Sequence, residues 1–109
     1  MGPHQGFIVP FVGKQMERKL AFGSALKEVR VRKEIAQEQL GASQSFVSTV
    51  ERGIRSPTIE KMEEFAERLG VNPATLIVLM QVGLDGDEET LLKVIRDEIK
   101  ALKRGEAAV

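Results

Sequence analysis

The stretch "GASQSFVSTVERG", residues 41–53, decides how this chain is read. Phe46, Val47 and Val50 fall three and four apart, which gathers them on one side of a helix. Gln44, Ser45, Ser48 and Thr49 then share the other side. A solvated helix face is ordinarily filled with Lys and Glu, which form helices well and keep a protein soluble. This face is instead short-chained, uncharged and rich in hydrogen-bonding groups, a composition suited to reading a partner. Ser43 is placed to cap the helix and Gly53 to end it, which predicts a helix over about 44–52.

Working outward, "AQEQL" (36–40) reads as a short second helix with Gly41 as its C-terminal stop. Before it, apolar spacing at Leu20, Phe22, Leu26, Val29 and Ile35 predicts a first helix over about 21–33. After it, "RSPT" turns the chain and Thr58 is the natural N-cap of a fourth helix through Leu69, with Glu60 and Lys61 in its first turn. Ile59, Met62, Phe65, Ala66 and Leu69 form its expected buried stripe, and Gly70 stops it. "NPATLIVLM" opens a fifth helix, capped by Asn72, with Pro73 at the first helical position, where its missing N–H costs nothing. After "VGLDGD" the pattern restarts as "EETLLKVIRDEIKALKRG". Here Leu92, Ile95, Ile99 and Leu102 repeat at the spacing of a coiled-coil seam, widened by Leu91 and Val94. That seam serves either a sixth helix packed back on its own domain or a dimerisation helix, and the spacing leaves both open.

The expected class is therefore all-α: a five-helix domain over 20–80 between an N-terminal arm (1–19) and a linker with a C-terminal helix (81–109). The first 15 residues, with three glycines and two prolines, read as an irregular arm. Met16 opens "MERKLAFGSALKEV", a suitable start for the native chain, so no function is placed on the arm. His4, the only histidine, lies there and reads as a tail residue.

At 109 residues with 42% apolar content, the chain supports one domain with one real core. The absence of cysteine removes a disulfide frame, a thiolate nucleophile and a cysteine-based zinc site, and suits a reducing, cytoplasmic setting. No apolar run approaches the roughly 18–20 residues that cross a bilayer, and the N-terminus lacks the basic start and long apolar stretch of a signal peptide. The formal net charge of zero conceals a division along the chain. Residues 14–55 hold nine Lys or Arg against five acids, a balance of +4, while 56–80 and 81–109 each come to −2. The basic excess surrounds the stretch quoted above.

Taken together, "ALKEVRVRKEIAQEQL" and "SQSFVSTVERGIRSPTIEKMEEFAERLGVNPATLI" resemble the lambda-repressor-like helix-turn-helix family, the Cro or xenobiotic-response-element type, over roughly residues 20–80. The resemblance rests on an ordered set: "AQEQL", "SQS", the "ERG.RSPT" turn and "LGVNP". It implies a five-helix domain whose third helix enters the DNA major groove. Gln can bond bidentately to the N6 and N7 edge of adenine, while Ser and Thr read several edges or set a methyl against thymine. The resemblance makes Gln44, Ser45, Ser48 and Thr49 the base-reading candidates. It assigns Gln37, Ser43, Arg52, Arg55 and Ser56 to the DNA backbone, where contacts set register and supply salt-sensitive affinity. It also implies an internal salt bridge between Arg30 and Glu51. Lys27, Arg32 and Lys33 read as solvated helix charges.

The chain departs from the family at one place. Typical members run "SQEELAEKLGVSQS" where this chain has "AQEQLGASQS", four residues shorter, about one helical turn or roughly 5–6 Å. The missing turn falls between Leu40 and Ser43, so the second helix should be stubby.

The leading expectation is a sequence-specific, repressor-like transcription regulator that binds double-stranded DNA as a homodimer on a two-fold symmetric operator. The alternative is a protein-interaction module, an antitoxin or a coactivator bridge, using residues 84–104 or the arm as its interface. An enzyme is not expected: with one arm histidine, no cysteine and no Gly-rich phosphate loop, nothing forms a nucleophile and base pair. Neither a metal, a cofactor, a small-molecule substrate nor a membrane enters the expectation.

Overall fold

The computed structural model describes residues 11–105. Among them the regular structure is helical throughout: α1 (Phe11–Arg32), a 3-10 turn η1 (Gln37–Leu40), α2 (Gln44–Glu51), α3 (Ile59–Leu69), α4 (Pro73–Asp85) and α5 (Glu88–Lys103). The all-α class and the six helical elements agree with expectation. His4 and residues 1–10 of the arm lie outside the described residues.

The first helix departs from its expected start. The sequence pattern predicts an irregular arm through residue 15 and a helix from about 21, whereas α1 already begins at Phe11. Pro10 is the last proline upstream of it, and "KQMERKL" consists of good helix formers, which sustain the helix despite Gly13. The apolar periodicity that marks a core-facing helix starts only near Phe22, and periodicity registers burial, not helicity.

The short second helix is a single 3-10 turn. Gln39 reaches back so that its Oε1 accepts from the Ala36 N–H at 2.7 Å, and Gly41, at φ 84°, reverses the chain at once. A side chain at Gly41 would be strained by that φ and would also collide with the Glu64 carboxylate of α3. Two residues later Ser43 starts α2, its Oγ accepting from the Phe46 N–H at 3.1 Å. The four-residue shortening is thus absorbed by a tight turn between two closely spaced helix starts. Thr58 and Asn72 cap α3 and α4 as expected, accepting from the N–H groups of Lys61 and Ala74 at 3.1 and 2.8 Å.

Phe22 and Leu26 of α1, Leu40 of η1, Val47 and Val50 of α2, Phe65, Ala66 and Leu69 of α3 and Leu76 of α4 form one continuous core. Burying each large member contributes about 1.5–3 kcal/mol. Two residues expected in apolar stripes lie outside it. Ile59 is 69% exposed, because it is the first residue of α3 and sits beyond the layer that Met62 and Phe65 close. Leu20 is 53% exposed, although its side chain still covers the backbone at Gly53. Helix α4 packs against α1, α3 and α5. No helix among the described residues is long and apolar enough to cross a membrane.

Candidate nucleic-acid interface

The eight residues of α2 are too few to be stable alone, so their orientation is set by neighbours. Val47 and Val50 are fully buried, and Phe46 packs on the core with its ring 6.4 Å from that of Phe65. The opposite side leaves Gln44 and Ser45 exposed and Ser48 and Thr49 half-buried, so the four base-reading candidates do share one face.

An ion pair holds the far end of the helix to α1. Arg30 Nε donates to Glu51 Oε2 at 2.6 Å and Arg30 Nη2 to Glu51 Oε1 at 3.0 Å, with both side chains largely buried. The third nitrogen of the guanidinium, Nη1, donates to the Ile35 carbonyl at 3.0 Å, tying down the turn before η1. The bidentate hydrogen bond to Glu51 raises the Arg30 pKa further above its already high ordinary value, with burial opposing. The pair implied between the first and third helices is present.

Gln37, at the start of η1, joins this pair to the polar face of α2. Its Nε2 donates to Glu51 Oε1 at 2.8 Å, and its Oε1 accepts from Gln44 Nε2 at 2.6 Å. The other polar groups are partly committed as well. Ser43 caps α2 and lies 3.4 Å from the Ser45 hydroxyl. Thr49 Oγ1 donates to the Phe46 carbonyl at 2.7 Å, which spends its proton inside the helix and leaves the hydroxyl free only to accept.

The basic residues flank this face. Arg52 folds back so that its Nε donates to the Ser48 carbonyl at 3.3 Å. The Arg55 guanidinium lies 5.9 Å from the centre of the Phe46 ring, a cation–π contact that draws an otherwise loose side chain alongside α2. Ser56 is exposed in the turn that follows. Lys27, Arg32 and Lys33 are exposed on α1 and the turn after it, and Arg32 pairs with Glu28 at 3.2 Å on its own helix.

Three features escaped the sequence reading. The Gln37–Glu51 bond joins residues 14 apart and has no local signature. The Arg55–Phe46 stack depends on how the turn folds back. Gly23 did carry a signal, as an isolated glycine inside a helical run, which commonly marks a close contact. A methyl there would drive into the carbonyl oxygens of Val50 and Glu51, so Gly23 is what lets α1 lie against the end of α2. The seam residues of α5 lie far from this face in sequence and divide: Ile95 is half-buried, while Leu92, Ile99 and Leu102 are exposed. No cluster of metal-ligating side chains occurs among the described residues.

Comparison with known proteins adds to the geometry. The helix-turn-helix family profile matches residues 26–76. An uncharacterised HTH-type transcriptional regulator, y4dJ, of Sinorhizobium fredii is 35% identical over 66 residues, which span 57% of this chain and 86% of that protein. The control protein C.BamHI of Bacillus amyloliquefaciens is 29% identical over 70 residues, spanning 60% of this chain and 86% of its own. No solved structure matches the chain significantly.

Proposed function

The chain belongs to the Cro-like, xenobiotic-response-element type of helix-turn-helix transcription regulators, and from that premise we propose that it is a repressor-like homodimer reading a two-fold symmetric operator. Binding of double-stranded DNA and regulation of transcription come with the family; the dimer, the symmetry and the residue roles are the proposal. The observation that carries it is the uncharged polar face of α2, held by the core and the Arg30–Glu51 pair and flanked by Arg52 and Arg55. In this reading Gln44, Ser45, Ser48 and Thr49 face the base edges, with Gln44 suited to adenine and the Thr49 methyl to thymine. Gln37, Ser43, Arg52, Arg55 and Ser56 grip the sugar-phosphate backbone.

The dimer is supported by economy and by α5. A helix of eight residues reaches only a few base pairs, and two half-sites about one DNA turn apart multiply the discrimination. Leu92, Ile99 and Leu102 are between 42% and 60% exposed, apolar surface that a second copy would cover beside Ile95.

Selection of bound sequences from a random DNA pool tests the whole reading, with a symmetric pair of short half-sites expected. Recovery of no common sequence, together with binding that is indifferent to salt, would overturn it in favour of a protein-interaction module. Within a recovered operator, Gln44→Ala should alter preference at one base pair of each half-site. Arg55→Ala should weaken all sequences alike.

A further inference from the structure

We propose that Glu51 is a positioning residue for base readout as well as a structural one, acting through Gln37 to fix which atoms Gln44 offers to DNA. The inference rests on the DNA-reading role of α2. It starts from the chain of contacts Arg30–Glu51–Gln37–Gln44, whose links are 2.6, 2.8 and 2.6 Å.

A carboxamide can be turned over at little cost, since its oxygen and nitrogen ends are nearly the same size. An isolated glutamine on a helix surface therefore presents donor or acceptor indifferently. Glu51 removes that freedom. Its carboxylate, paired bidentately with the Arg30 guanidinium, can only accept, so Gln37 must turn its NH2 group toward Glu51 and its oxygen the other way. That oxygen can in turn only accept, so Gln44 must direct its NH2 group toward Gln37. One N–H of Gln44 is consumed, and what remains outward is its oxygen beside its second N–H, the donor and acceptor pair that adenine requires. One N–H of Gln37 also remains, pointing away from Glu51 and available to a phosphate. A buried charge pair at the far end of the helix thus sets the polarity of the reading edge through two amide groups.

The energetic gain comes before DNA arrives. A side chain already held in the reading conformation has less rotamer freedom to lose on binding, and its reversed form is suppressed. Reversed, Gln44 would set donor against donor at adenine, so the relay favours adenine over a base that would accept the turned amide.

The test compares the wild type with Gln37→Met, Glu51→Gln and the double variant on the selected operator duplex and on duplexes changed at single base pairs. Gln37→Met leaves the Arg30–Glu51 pair in place, so it keeps the test informative if Glu51→Gln fails to fold. Its discrimination at the Gln44 base pair should fall at least about five-fold. Discrimination at the pairs facing Ser48 and Thr49 should hold, and the denaturation midpoint should fall by no more than the loss of one hydrogen bond to Glu51 accounts for. Glu51→Gln should lose discrimination at the same pair, and adding it to Gln37→Met should cost no more there, because the relay is already cut. Uniform weakening by Gln37→Met with discrimination intact would reduce Gln37 to a backbone grip and overturn the relay. So would an undiminished effect of Glu51→Gln in the Gln37→Met background, which would show Glu51 acting through the fold alone. A wild-type protein that selects no DNA sequence overturns instead the reading on which the relay rests.

Discussion

Helices α2 and α5 are both amphipathic, yet the shorter one is the better fixed. Helix α2 has eight residues, buries Val47 and Val50 completely, and is tied to α1 and η1 by Arg30, Glu51 and Gln37. Helix α5 is twice as long, packs on α4, and leaves Leu92, Val94, Ile99 and Leu102 between 42% and 60% exposed. Its stabilising features are largely local: the Asp87 cap, acidic residues in the first turn, basic residues in the last, and a Lys93–Asp97 pair at 2.8 Å. Helix length and amphipathic pattern therefore do not measure how firmly a helix is held. Contacts from distant parts of the chain do, and α2 is the helix that has them.

The contrast can be broken most sharply at the brace. Arg30→Met leaves Glu51 buried without its partner and should cost about 3–5 kcal/mol in chemical denaturation, with DNA affinity falling on every sequence. A loss below about 1 kcal/mol would mean that α2 is held by Val47 and Val50 alone. Gly23→Ala comes next. The clash with the end of α2 costs about 1–3 kcal/mol against up to about 1 kcal/mol gained in helix propensity, so the variant should be less stable. A stabilised Gly23→Ala would refute the close approach of the two helices.

On the other side of the comparison, Ile99→Glu should leave monomer stability within about 0.5 kcal/mol, since the residue is 47% exposed. If α5 joins two copies, sedimentation should at the same time show dimerisation weakened at least about ten-fold, because a charge would be buried in the seam. An unchanged dimer would move the interface to α4 or to residues outside α5.

The smallest effect expected is acid sensitivity in α5. The Thr90 hydroxyl and backbone hydrogen bonds hold the Asp87 carboxyl below its ordinary value of 3.8, and Lys93 does the same for Asp97. A lowered folded-state pKa contributes stability that is present above 3.8 and lost as pH falls through the folded value. Amide exchange in the first turns of α5 should therefore quicken below that pH. Arg30 shifts the opposite way, its raised pKa contributing stability at every pH below its already high ordinary value, so the brace itself does not release on acidification through arginine. Faster exchange in α2 before α5 would reverse the ranking of the two helices.

Much of the fold was legible because its signals are local. Ser43, Thr58 and Asn72 cap helices where they stand, Gly41, Gly53 and Gly70 turn the chain at positive φ, and Phe65, Ala66 and Leu69 show their burial in their spacing. The start of α1 was misplaced because residues 11–20 are helical without the periodicity of a core face. Ile59 and Leu20 were misplaced because spacing gives a direction but not how far the core extends along it.

By itself the sequence determined an all-α chain, the uncharged polar composition of one face over residues 44–49, and the basic excess around it. A three-residue periodicity and a capping serine need only neighbours along the chain to act. Tertiary structure alone decided that Gly23 would admit the end of α2, that Arg55 would lie along Phe46, and that Glu51 would reach Gln37. Those outcomes depend on distances between residues 9 to 28 positions apart, which become defined only when the core of Leu26, Leu40, Val50 and Phe65 closes. The sense of the Gln37 and Gln44 amides belongs with them, because an amide has no preferred sense until a distant carboxylate gives it one.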